Sequence, residues 1–243
     1  MYRTRVIPVL LLKDEYIVKT VNFSNPKYIG EPINIVRIFN DKEADEICIY
    51  DINASNKNKV NFGLLENIAS NARMPICYGG GIKSTSSAEK IFSLGVEKIS
   101  IGEALFDNEK IITDISKKFG SQSCAVTINI NYNQTDNYFI KGKNYFYDKD
   151  QIIELLRKIV DLGAGEIIIN CIHRDGTLLG YDEELLSVIY DNTEMPFTFV
   201  GGASSKDNIM EISDKFNMIG LGVGSLFIYK GKRKAILINY LKR

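Results

Sequence analysis

Two short glycine runs, Gly79-Gly80-Gly81 and Gly201-Gly202, each follow an apolar stretch and precede a helical pattern. Without a Cβ, such turns let backbone approach a ligand closely and present N–H groups to an anion. Phosphate binding is the chemistry this arrangement suits, against the plainer reading of a tight turn. The later run is supported by Gly176 in "RDG" and by Gly224 and Ser225, which offer a backbone donor and a hydroxyl. The earlier run has Glu103 and Ala104 at the positions matching Gly224 and Ser225. A carboxylate about 4 Å from a phosphate charge costs roughly 4 kcal/mol at an effective dielectric of about 20. Gly80 and Gly81 therefore make the poorer anion site, and Gly176, Gly201, Gly202, Gly224 and Ser225 the better one. A third stretch, "VLLLKDEY" (Val9 to Tyr16), looks like a buried strand meeting solvent, yet its last inward positions hold leucine where an enzyme needs an acid or a base.

The elements that position these residues alternate along the whole chain. Strand candidates are Val6–Leu12, Glu46–Asp51, Pro75–Tyr78, Lys98–Ile101, Cys124–Ile128, Glu166–Asn170, Phe197–Val200 and Ile219–Val223. Between them lie segments such as "DQIIELLRKIVDLG", with apolar residues at i, i+3, i+4 and i+7. Strands apolar on both faces and separated by helices belong to a parallel sheet. Eight even units predict a closed (βα)8 TIM barrel rather than an open doubly wound sheet. The segments beginning at Pro75 and Pro196 align without a gap as proline, glycine turn, helix, strand and a final Leu-Phe. That predicts one barrel domain over residues 1–243, built from half-barrels of about 1–121 and 122–243.

Bulk properties narrow the classes. Thirty basic residues against thirty acidic ones leave no net charge, which points away from nucleic acid. Cys48, Cys77, Cys124 and Cys171 form no CxxC pair, so they read as buried reduced thiols rather than a metal site, and no cofactor is implied. The first apolar run is too short for a membrane span, which predicts a cytoplasmic protein with no membrane partner. His173, the only histidine, reads as polar lining beside the later nest; Asp175 is the better functional candidate there. Tyr132–Tyr147 reads as a hairpin over the mouth, turning within Asn133–Asn137.

The motifs "GGGI", "FGSQ", "GAGEI", "RDGTLLGYD", "GGA" and "GSLF", from Arg5 to about Phe227, resemble the cyclase (synthase) subunit of imidazole glycerol phosphate synthase. The resemblance implies a (βα)8 barrel, a glutaminase (glutamine amidotransferase) subunit docked at its bottom, and ammonia passed up the axis to a phosphorylated substrate at the top. It implies a lyase-type ring closure in histidine biosynthesis. Arg5, Glu46, Lys98 and Glu166 match the family's ring of alternating charges that gates ammonia. Lys19, on the loop after the first strand, matches a substrate-side lysine, and Asp51 a strand-end aspartate.

The departures carry as much weight. The family's acid and base are aspartates at the positions of Leu11 and Asn129. Leucine transfers no proton, and asparagine is no substitute near neutral pH. The variants "IPVLLLKD", "NPKYIGEPINIVRIFN" and "PICYGGGIK" most resemble paralogues from surface-polysaccharide (lipopolysaccharide) gene clusters. That resemblance implies ammonia delivery, together with an ATP-dependent amidotransferase, for amidination of a nucleotide sugar. A genuine histidine-pathway cyclase and a non-catalytic, glutaminase-activating scaffold are the competing readings. A sugar-phosphate isomerase is more remote, since it too needs the missing aspartates.

Overall fold

The computed structural model describes residues 4–54, 59–133, 137–141, 146–216, 220–231 and 233–241. Strand β1 (Arg5–Lys13) turns back through β2 (Tyr16–Val21) and β3 (Ser24–Gly30) before the helix Pro32–Asp41. Next come β4 (Ile47–Asp51), β5 (Ile76–Gly79), β6 (Lys98–Ile101) and β7 (Cys124–Asn133). The last of these continues into β8 (Asn137–Lys141) and β9 (Phe146–Tyr147). Strands β10 (Glu166–Cys171), β11 (Phe197–Val200) and β12 (Gly220–Val223) complete the sheet. Strand β1 pairs in parallel with both β4 and β12, and the others pair in parallel round the wall, so the sheet closes as a (βα)8 barrel.

The pleat explains the apolar runs. In β10, Ile167 and Ile169 face outward into the large core under the helices, while Ile168 faces the lumen with Ile7, Val9, Cys48, Cys77, Ala125 and Val200. The helices supply matching stripes: Ile152, Leu155, Leu156 and Ile159 are the buried face of Lys149–Asp161. That helix starts with a capping box between Asp148 and Gln151. Asn61, Ser84, Asp182 and Ser205 cap four others through their side chains, each worth about 1 kcal/mol. No helix among the described residues is long and apolar enough to cross a membrane.

Two antiparallel hairpins rise above the barrel mouth. Strands β2 and β3 fold back on β1, so Lys19 stands in a strand and not in a loop as its sequence position suggested. The reason is local: "YIVKTV" is rich in β-branched residues and buried through its four central positions. Strands β7 and β8 form the second hairpin, with Asn133 paired to Asn137; the turn expected between them, 134–136, lies outside the described residues.

Candidate functional site: a charged ring below and a cleft above

At the bottom of the barrel four side chains close a ring. Arg5 donates to Glu46 at 2.8 Å and to Glu166 at 2.6 Å, and Lys98 donates to Glu46 at 3.1 Å and to Glu166 at 2.7 Å. The Thr198 hydroxyl donates to Glu166 Oε1 at 2.5 Å. Burial works against the charges of Arg5, Lys98 and Glu166, yet their partners prevail. Arg5 and Lys98 are held above their usual values by Glu166 and Glu46. Glu166 is held below the ordinary carboxylate range by Lys98 and Arg5.

The mouth is one cleft with two unequal lobes. Leu11, Tyr50, Phe23 and Asn170 face both. The first-half lobe encloses about 700 Å³ and also presents Asp51, Gly80, Gly81, Glu103 and Asn129. Asp51 is buried. Its Oδ1 accepts the N–H groups of Asn53 and Ala54 at 3.1 and 2.9 Å, and the Tyr78 hydroxyl lies 3.5 Å from Oδ2. A Cβ on Gly80 would come within 2.5 Å of the Asp51 carbonyl, and one on Gly81 within 3.0 Å of Ala54. These glycines are thus required by backbone packed against 51–54, whether or not an anion binds. Asn129 Oδ1 accepts from Asn170 Nδ2 at 3.2 Å, so two amides stand together on neighbouring strands.

The second-half lobe gathers Lys19, Asp175, Gly176, Gly201, Gly202, Gly224 and Ser225 round only about 30 Å³, against about 700 Å³ in the other lobe. The sequence favoured this nest, and its residues line one small lobe, but the larger volume lies over the other half. A ligand with an anionic end here would extend across Leu11 and Tyr50 into the larger lobe. Lys19 Nζ donates to the Val9 carbonyl at 2.5 Å, and a Cβ on Gly224 would stand 2.7 Å from that nitrogen. Burial lowers the Lys19 pKa to about 8, against the pull of Asp175. Asp175 Oδ2 accepts from the Thr20 hydroxyl at 2.8 Å and from the Phe23 N–H at 3.3 Å, which pins the β2–β3 hairpin over the nest.

His173 is not lining of the mouth. Its Nε2 lies 2.7 Å from Asp182 Oδ2, whose other oxygen accepts from the Tyr138 hydroxyl at 2.9 Å and the Leu185 N–H at 3.1 Å. Cys171 Sγ lies 3.6 Å from both ring nitrogens. With Tyr132 5.7 Å away ring to ring, this network anchors the β7–β8 hairpin. Burial pushes the Cys171 thiol up, so it stays protonated, and all four cysteines are buried and free. Sequence reasoning missed Tyr50 and Asn170. Both follow from counting alternate inward positions after Cys48 and Ile168, but nothing local marks them.

Residues 5–234 match the family described as "Histidine biosynthesis protein". The chain belongs to that family. A provisionally named imidazole glycerol phosphate synthase subunit HisF of Leptospira borgpetersenii is 45% identical over 99% of this chain and 96% of its own length. A similarly named protein of Pseudomonas aeruginosa is 43% identical over 99% of this chain and 96% of its own length. The imidazole glycerol phosphate synthase subunit HisF of Streptococcus mutans is 31% identical over 94% of this chain and 92% of its own length.

For this HisF-like barrel, Lys19 gives a stability prediction. An amine held at about 8 binds fewer protons folded than unfolded, so unfolding free energy rises as pH climbs from 8 towards 10.5. Lys19→Met is expected to stabilise the fold at pH 7 by about 2–3 kcal/mol, after allowing for the donor lost at Val9, and to flatten that alkaline slope. Urea denaturation across pH measures both.

Proposed function

We propose that this barrel is a cyclase-subunit-like partner of a glutamine amidotransferase, receiving its ammonia through the Arg5–Glu46–Lys98–Glu166 ring. We further propose that the ammonia serves the amidination of a nucleotide sugar in surface-polysaccharide biosynthesis, with an ATP-dependent amidotransferase activating the acceptor. One observation carries the reading: the charged ring at the bottom is complete, while the mouth has Leu11 and Asn129 at the two proton-transfer positions. A wall that keeps its nitrogen inlet but not its acid and base is suited to delivery rather than to ring closure. The phosphate end of the acceptor would sit among Gly176, Gly201, Gly202, Gly224 and Ser225, beside Lys19.

A second reading, ring closure in histidine biosynthesis, draws on relatives of 31–34% identity that bear the synthase name and on the buried Lys19. The two are separated by glutaminase assays on the co-purified complex. Delivery requires that stimulation survive Leu11→Asp and vanish with Lys98→Ala, with no imidazole product from ammonium and the histidine-pathway precursor. Product at ordinary enzyme rates would sink it.

A further inference from the structure

Tyr50 follows Cys48 on the lumen face of β4, and its ring does not follow the wall. The hydroxyl reaches Thr127 Oγ1 on β7 at 2.9 Å, although β5 and β6 stand between those strands in the sheet. Thr127 is joined in turn to Ser100 Oγ on β6 at 2.5 Å. The ring crosses over Gly79, where a Cβ would come within 2.7 Å of Tyr50 Cδ1, so only glycine leaves room for it. Beneath the ring lie Ile7, Val9, Cys48, Cys77, Ala125, Ile168 and Val200, against which it packs. Between this layer and Glu46 and Glu166 is a small cavity of about 10 Å³, the size of one molecule of water or ammonia, which shares Val9 and Val200 with the mouth above. Above the ring, Tyr50 faces both lobes of the mouth, and the larger lobe gives it space to swing into.

We propose that Tyr50 is the exit gate of the barrel axis: one small neutral molecule is held between the charged ring and Tyr50, and reaches the mouth only when the phenol leaves Thr127. This rests on the ammonia-receiving function proposed above. It adds that the passage has two barriers of different chemistry, ionic at the inlet and aromatic at the outlet. The thiols of Cys48 and Cys77 and the hydroxyl of Thr198 are the polar groups of the chamber besides the carboxylates. Such a chamber suits ammonia better than ammonium, because the ring cations already neutralise Glu46 and Glu166.

The protein carries its own probes. Cys48 and Cys77 lie below Tyr50, whereas Cys124 and Cys171 lie in the outer core. The full chain is treated with methyl methanethiolsulfonate at constant pH, and modification of each cysteine is followed by peptide mass spectrometry. In Tyr50→Ala, Cys48 and Cys77 are expected to react at least about tenfold faster than in the parent, roughly the weight of one buried hydrogen bond. Cys124 and Cys171 should keep their parent rates. If Tyr50→Ala loosens the whole fold and all four accelerate, Thr127→Val is read instead, since it removes only the hydroxyl that holds the phenol; selective acceleration of the lumen pair supports the gate there. Equal rates at Cys48 and Cys77 in parent and variants overturn it. The functional reading fails separately: selective labelling in variants of a barrel that never stimulates a glutaminase leaves the gate standing and removes the ammonia.

Discussion

Installing both missing carboxylates, as Leu11→Asp with Asn129→Asp, is expected to raise imidazole formation from ammonium and the histidine-pathway precursor by at least about 10²-fold. One positioned acid or base contributes about 10²–10⁴ in rate, so two act as a unit, and either substitution alone should recover much less. The geometry permits the gain. Leu11 and Asn129 face the same 700 Å³ lobe from β1 and β7, each beside another lining residue on a neighbouring strand, Tyr50 and Asn170 respectively. Asn129→Asp places a carboxylate beside Asn170 Nδ2, which donates to it and favours its charged form. Steady-state turnover of parent, singles and double measures the effect. A parent that already matches the double variant contradicts the role given to these two positions.

Glu166→Ala is expected to lower the unfolding free energy by about 2–3 kcal/mol, because it takes from the part-buried Arg5 and Lys98 one of the two carboxylates they share and leaves Glu46 alone between them. Glu166 accepts from Arg5, Lys98 and Thr198 at once, so it is the member whose loss orphans most donors. Glu166→Gln keeps shape and one acceptor and should cost less. The pH dependence has a definite sign. The folded pKa of Glu166 is depressed, so its contribution is present above its unfolded value of 4.5 and is lost as pH falls through the lower folded value. Lys98 is shifted the other way. Its contribution is full below 10.5 and declines only as pH rises through the raised folded value. The parent should therefore show a stability plateau between these limits, and Glu166→Ala should lose the acid arm. Urea unfolding from pH 3 to 7 tests this directly.

Several features of this barrel are one-dimensional and so were legible from the chain. Apolar runs such as "EIIIN", with no polar face, separated by helical stripes such as Ile152, Leu155, Leu156 and Ile159, specify a parallel sheet wrapped by helices. Charges at strand starts put Arg5, Glu46, Lys98 and Glu166 at one end because parallel strands share a direction. The absence of an acid at Leu11 is likewise a fact of residue type. What tertiary structure alone decided is which distant groups meet. Lys19 became a strand residue facing Gly224 because β2 folds back on β1; Asp175 was spent on Thr20 and Phe23; Gly80 was claimed by the backbone of Asp51. Tyr50 reaching across the lumen to Thr127 depends on barrel closure and on a glycine one strand away. Periodicity fixes which face a side chain takes, but the partner across a closed sheet is set by register and curvature, and these are properties of the assembled wall.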